Sequence, residues 1–179
     1  MQREPAIHAN LTLRQAKSID APAVADLITQ LGYPTSPDEM HTRLLPILNN
    51  PTYLTLLAVN GSRILGMAGA CLGRFYEKNH TYGRLIVMVV DERVRNQGIG
   101  QYLLQAVETW LIRQGASEAI VNSHTYRPDA HRFYHVQGYQ TTGVRLVKAL
   151  KADIAQNPNL PIPESNRLCA DRTKPLIKA

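Results

Sequence analysis

Apolar residues recur along this chain in two periods, and the alternation between them marks out the elements. Leu11 to Ala16 (Leu-Thr-Leu-Arg-Gln-Ala) alternates and predicts a first strand. Val24, Leu27, Ile28 and Leu31 then fall on one helical face, with Ser18 or Asp20 as cap, Pro22 in the first turn and Gly32 as the stop. After the turn Tyr33–Pro37, Ser36 and Asp38 open a second helix through Met40, Leu44, Leu45 and Leu48, perturbed near Pro46. Tyr53 to Val59 predicts a strand, Asn60-Gly61 a two-residue hairpin turn, and Ile64 to Leu72 the returning strand. Its glycines, Gly66 and Gly69, mark a bulge or a close backbone approach. Tyr82 to Val90 follows as a strand whose second part, Leu85 to Val90, is continuously apolar and predicts burial on both faces. A polar turn leads into Gln97-Gly98-Ile99-Gly100 and a helix carrying Leu103, Val107, Trp110 and Leu111, with Gly115 as its C′ residue. Ala119 to Asn122 predicts a short strand, and a short helix through Phe133 and Tyr134 closes at Gly138. Tyr139 to Thr142 and Val144 to Ala149 predict the last two strands.

The succession of strand, glycine turn and helix at 85–114 has chemical content. The first N–H groups of a helix have no intrahelical partner, and the helix dipole adds partial positive charge there. Glycines let an anion approach such N–H groups without meeting a Cβ, and Arg95 adds a full charge. The dinucleotide fingerprint would need a third glycine where Leu103 stands, and the P-loop would need a Gly-Lys-Ser/Thr that occurs nowhere. What the chain does have is Arg95-x-x-Gly98-x-Gly100, preceded by Val89-Val90-Asp91. That arrangement resembles the pyrophosphate loop of the GNAT superfamily of N-acetyltransferases. A second block, Ala130-His-Arg-Phe133-Tyr134-His-Val-Gln-Gly138-Tyr139, is similar to the family's second signature, Ala-x-x-Phe-Tyr-x-x-x-Gly-Phe/Tyr.

The resemblance covers about residues 11–150, leaving a short extension at 1–10 and a proline-rich basic tail at 151–179. It implies an α/β fold with a mixed, mostly antiparallel sheet of about seven strands, flanked by about four helices and splayed between its two central strands. It implies acetyl-CoA as cosubstrate and no metal. The pantetheine arm is assigned to Met88, Val89 and Val90, and the pyrophosphate to Arg95, Asn96, Gln97, Gly98, Ile99, Gly100 and Gln101. Tyr134 stands where the family carries the tyrosine that protonates the leaving thiolate; a phenol with a pKa of about 10 keeps its proton at neutral pH. The two N-terminal helices and the loop between them would border the acceptor.

Three positions depart from the family pattern. Arg127 replaces an asparagine that touches the cofactor, and an arginine there can still reach a phosphate. Arg84 is the charged residue where a carboxylate base is common early on the strand, leaving Glu77, His80, His124 or water as the base. No cysteine matches a nucleophile setting, so transfer is expected to be direct. His131 and His135 are spaced i,i+4 but lack the surrounding zinc motif.

Composition adds limits. Length and a 44% hydrophobic content suit one domain with a packed core. No run approaches the roughly 18 apolar residues of a membrane span, and no secretory signal opens the chain. Two unlike cysteines, Cys71 and Cys169, suit a reduced, cytoplasmic protein. Within 11–150, 14 basic and 10 acidic side chains leave +4 of the total +6, as expected for binding a phosphate-rich cofactor. No basic run of five exists, so nucleic-acid binding is only a minor alternative, and the expected partner is an amine acceptor, small molecule or protein. The expected assembly is compatible with a homodimer. The leading function is N-acetyl transfer; the alternative is a non-catalytic acyl-CoA sensor or interaction module.

Overall fold

The computed structural model describes residues 10–150. The expected tail from Lys151 and all but Asn10 of the N-terminal extension lie outside the described residues. The chain divides after Thr141 into two units.

In the first unit, one sheet carries five strands in sequential order, β1 (Leu11–Gln15), β2 (Tyr53–Asn60), β3 (Arg63–Arg74), β4 (Thr81–Val90) and β5 (Ala116–Val121). β1 to β4 pair antiparallel, and β4 pairs β5 in parallel across the helix α3 (Ile99–Arg113). A parallel neighbour needs such a crossover, whereas the antiparallel ones need only turns. The β2–β3 turn is Gly61-Ser62, because Asn60 already pairs with Arg63. The predicted turn is therefore shifted by one residue, and Gly61, with φ +59°, supplies the left-handed conformation.

Helices cover both faces. α1 (Ala21–Gln30) and α2 (Pro37–Leu48) bury Val24, Leu27, Met40 and Leu44 with Leu57, Met67 and Val89. α2 opens with a capping box, Ser36 accepting from the Glu39 N–H while the Glu39 carboxylate accepts from the Ser36 N–H. The Asp20 side chain does not cap α1. It accepts both guanidinium nitrogens of Arg14 at 2.7 Å and the Lys17 N–H. On the other face α3 seats Ile99, Leu103, Leu104 and Val107 over Leu54, Leu65, Ala68 and Leu85. Each such fully buried aliphatic side chain contributes about 1.5–3 kcal/mol. α4 (Pro128–Val136) joins this face through half-buried Phe133 and Tyr134.

β4 departs from the predicted doubly buried strand: Val87, Met88 and Val90 are half-buried, and the sharpest departure is at Ile86. Gly69 of β3 pairs with Val87 and Ala70 with Leu85, so Ile86 is an extra, bulged residue, and it is 52% exposed. The bulge exchanges the faces: Leu85 belongs to the α3 core, whereas Val87 and Val89 belong to the α1–α2 core. Gly69 permits it, since a Cβ there would lie 2.8 Å from Val87 Cγ1.

The expected seven strands are corrected to five among the described residues. Residues 142–150 of the second unit carry no regular secondary structure, and Val144, Leu146, Val147 and Leu150 are between 75% and 90% exposed. Their alternation is broken at Leu146-Val147 and preceded by Gly143. An alternating pattern makes a strand only where a neighbour takes up its N–H and C=O groups. Among the described residues β5 is the edge strand of this sheet, so the pair β4–β5, the expected place of the splay, is not central but lies at the edge.

Candidate active site

The pairing of β4 with β5 ends at Leu85 and Val121. Beyond it, residues 86–90 of β4 have a strand neighbour only on the β3 side. A gap therefore opens from the bulge at Ile86 to the end of β4, with the turn 91–98 and α3 at its far end.

That end is built from backbone. Asn96 (φ +61°) and Gly98 (φ +77°) both adopt the left-handed conformation, which Asn and Gly tolerate best. The first helical hydrogen bond of α3 runs from the Tyr102 N–H to the Gly98 carbonyl, and no side chain caps the helix. The N–H groups of Ile99, Gly100 and Gln101 are thus left to an outside acceptor. A Cβ on Gly100 would meet the Phe133 ring at 3.7 Å, an ordinary contact, so packing in the protein alone does not require glycine there. Arg95 donates through Nε to the Val90 carbonyl at 3.2 Å and keeps its exposed guanidinium beside the turn. Gln97 buries its Oε1 without a partner; this acceptor suits an N–H or O–H rather than a phosphate oxygen.

The turn is held by Asp91, whose side chain is 4% exposed. It accepts from Arg63 at 2.9 Å and from the backbone N–H and Nε of Arg93 at 3.1 Å each. Burial pushes this carboxyl up, but the hydrogen bonds from Arg93 and Arg63 outweigh it and hold it below the usual carboxylate range.

Tyr134 stands on α4, half-buried, with Phe133 and Tyr139 in edge contact at 5.3 and 5.5 Å between ring centroids. Its hydroxyl makes no hydrogen bond among the described residues, and burial pushes its pKa up to about 12, with nearby Arg127 pulling the other way. Tyr139 donates to Glu108 Oε1 of α3 at 3.0 Å, which ties α4 to α3. Because Phe133 also lies over Gly100, the two sequence blocks meet in space.

Arg127 points elsewhere than expected. Its Nη2 donates to the Leu31 carbonyl at the end of α1, at 2.7 Å, and its guanidinium lies over the rings of Tyr33 and Tyr126. These contacts make it a tie between the α1–α2 loop and α4. Of the three candidate bases, His80 hydrogen-bonds Ser117 at 2.6 Å, at the start of β4 and β5 and five strand residues from the bulge. His124 stacks on Tyr126 in the β5–α4 loop. Glu77 alone borders a depression beside the gap, of about 340 Å³, together with Arg74, Tyr76, Tyr82, Arg84 and Asn122. Sequence reading missed this depression, because its lining comes from the end of β3, the β3–β4 loop, β4 and the end of β5. Among the described residues, no group of three or more His, Cys, Asp or Glu side chains could hold a metal ion, and no helix is long and apolar enough to cross a membrane.

Comparison with known proteins gives the family and the fold. An aminoalkylphosphonate N-acetyltransferase of Salmonella typhimurium is 28% identical over 155 residues, spanning 84% of this chain and 98% of its own length. A GNAT family acetyltransferase structure from Staphylococcus aureus superposes with a TM-score of 0.69 at 28% identity, covering 79% of this chain and 99% of its own. An aminoglycoside N-acetyltransferase solved in complex with CoA superposes with a TM-score of 0.69, over 79% and 95% of the two chains; at 18% identity it speaks to fold alone. The model of the acetyltransferase (GNAT) family matches residues 21–139, and the chain belongs to that family.

Proposed function

We propose that this acetyltransferase uses acetyl-CoA and transfers the acetyl group directly to the primary amine of a small molecule. The observation that carries the proposal is the meeting, beside the open part of β4, of the uncapped first turn of α3 with Phe133, the neighbour of Tyr134 on α4. Three free N–H groups, a left-handed glycine and an exposed arginine fit a pyrophosphate. The open β4 edge at Met88, Val89 and Val90 fits the amide groups of an extended arm. Acetyl-CoA supplies the acetyl group as a thioester. The Salmonella relative, named for aminoalkylphosphonates, supports a small-molecule acceptor for this chain.

The protein's own residues then have distinct tasks. The turn Arg95–Gln101 binds through backbone and one guanidinium, fixing the cosubstrate along β4. Bringing two reactants together in this way removes a large entropic part of the barrier. Tyr134 holds a proton near the departing sulfur. A phenol at about 12 lies well above the roughly 8.5 of an ordinary thiol, so full transfer of its proton to the thiolate is uphill, and Tyr134 acts chiefly by donating a hydrogen bond to the sulfur as charge builds there. Glu77, the carboxylate bordering the depression, is the residue placed to receive an ammonium or its proton.

One feature favours the second reading, a non-catalytic acyl-CoA sensor: Arg84 stands on β4 where a carboxylate base is common. Release of free thiol from acetyl-CoA in the presence of short primary amines tests the choice. Amine-dependent release is expected; tight acetyl-CoA binding without release from any amine would overturn the transferase reading in favour of the sensor.

A further inference from the structure

We infer that the depression beside the gap selects an acceptor that carries an oxyanion, a phosphonate or carboxylate, two or three carbons from its amine. This rests on the acetyl-transfer reading above and adds the class of acceptor.

The first observation is an imbalance of pairing. Arg14, Arg43, Arg63, Arg93 and Arg132 each hold a carboxylate of the protein. Among the described residues Arg74, Arg84, Arg95, Arg113, Arg127 and Arg145 hold none, and of these Arg74 and Arg84 border the same depression. Its one carboxylate, Glu77, is also without an ion-pair partner among them, so the lining carries two cations against one anion. Such a set complements a zwitterion: guanidinium groups match the planar or tetrahedral oxyanion through paired N–H donors, and the carboxylate matches an ammonium.

Position is the second observation. Leu85 packs in the α3 core, so Arg84 faces the opposite side of the sheet. Arg84 lies one residue before the last rung of the β4–β5 pairing, and Asn122 follows β5 directly. The depression therefore adjoins the mouth of the gap. From Arg84 to the bulge at Ile86 is two strand residues, about 6.6 Å, a span that a chain of two or three carbons between nitrogen and oxyanion can bridge.

The rim is held in place from outside the site. Lys78 pairs with Glu118 of β5 and lies over Phe75 at 4.6 Å, and His80 bonds Ser117. The β3–β4 loop that brings Tyr76 and Glu77 beside Arg74 of β3 is thus tied to the edge strand in advance of any ligand, which lowers the cost of ordering it on binding.

The test is a calorimetric titration of the full chain, with and without coenzyme A, using 3-aminopropylphosphonate, γ-aminobutyrate and propylamine. The phosphonate is expected to bind best, having charge for both arginines, the carboxylate next and the uncharged tail least. Arg84→Gln and Arg74→Gln, both at exposed positions, should each weaken the phosphonate by about tenfold or more, as loss of a charged hydrogen-bonding partner does. Equal binding of propylamine and 3-aminopropylphosphonate, or no effect of either substitution, overturns the inference. Thiol release measured on the same samples separates the two readings. Release with all three amines at equal efficiency overturns the selectivity and leaves acetyl transfer standing. The expected binding order without thiol release from any amine leaves the depression's ligand class standing and overturns acetyl transfer.

Discussion

At one end of β4 the protein presents backbone, and at the other it presents side chains. The turn 95–101 offers N–H groups fixed by two left-handed residues and an uncapped helix, with Asp91 locking the turn from beneath. The depression around Arg84 offers guanidinium and carboxylate groups from three separate elements. A shared cosubstrate can be held by backbone, since every residue has an N–H and only the path of the chain must be kept. An acceptor that distinguishes this protein from its relatives must be read by side chains. The same difference decides how each end answers to mutation: the first through conformation, the second through charge.

The largest effect is expected at the backbone end. Acetyl-CoA at 100 times its dissociation constant should stabilise the protein by about 2.7 kcal/mol through linkage, seen as a rise in melting temperature. Gly98→Val should abolish that rise, because φ +77° is strained for a β-branched residue and its side chain would stand in the turn. Gly100→Ala refines the comparison. Its new Cβ meets Phe133 at 3.7 Å, so stability should change little while acetyl-CoA affinity falls. A Gly100→Ala protein with unaltered affinity would show that no anion comes close to that turn.

Next in size is Tyr134→Phe, which keeps the ring packing and removes the hydroxyl. Acetyl-CoA affinity should hold, and the single-turnover rate should drop by on the order of 100-fold. A rate equal to wild type would return Tyr134 to a packing role between Phe133 and Tyr139.

The two ends also differ in how far the amino-acid sequence alone reveals them. The turn is legible because left-handed positions and an exposed helix start demand particular residues, Asn96, Gly98 and a following helical pattern. The bulge is half legible: Gly69 signals it, but its consequence, an exposed Ile86 inside an apolar run, depends on the register between β3 and β4. The depression is not legible, since Arg74, Arg84 and Asn122 are brought together only by pairing of β4 with both neighbours. The last two strands are over-read, because an alternating segment carries no information about whether a partner edge receives it.

Arg127 has two competing roles, a contact with the cosubstrate at the backbone end or a tie to the α1–α2 loop, and its substitution has a moderate expected effect. If its contacts with Leu31, Tyr33 and Tyr126 describe its role, Arg127→Ala leaves a carbonyl without its donor and costs about 1–3 kcal/mol. Amide exchange should then quicken in the α1–α2 loop, while the acetyl-CoA-induced rise in melting temperature persists. A rise that shrinks with unchanged loop exchange would assign Arg127 to the cosubstrate instead.

The smallest effect concerns how α4 is held on α3, and it is read in the alkaline limb of stability. Tyr134 is raised by burial to about 12, and Tyr139 is raised further by burial and by the charge of its acceptor Glu108. In the unfolded chain both phenols return to about 10, so the folded protein binds these protons more tightly. Their contribution is therefore fully present below pH about 10 and is lost as pH rises through the folded values. Tyr139→Phe removes one such group together with its 3.0 Å bond to Glu108, costing about 1–2 kcal/mol near neutrality. Urea unfolding at pH 8, 10 and 11 should show wild-type stability falling over the upper interval and the variant falling less. Identical slopes would mean that Tyr139 is equally solvated in both states. α4, with Phe133 and Tyr134, would then be held on α3 by ring packing alone, and the backbone end would lose one of its two ties to the helix that carries the proposed acid.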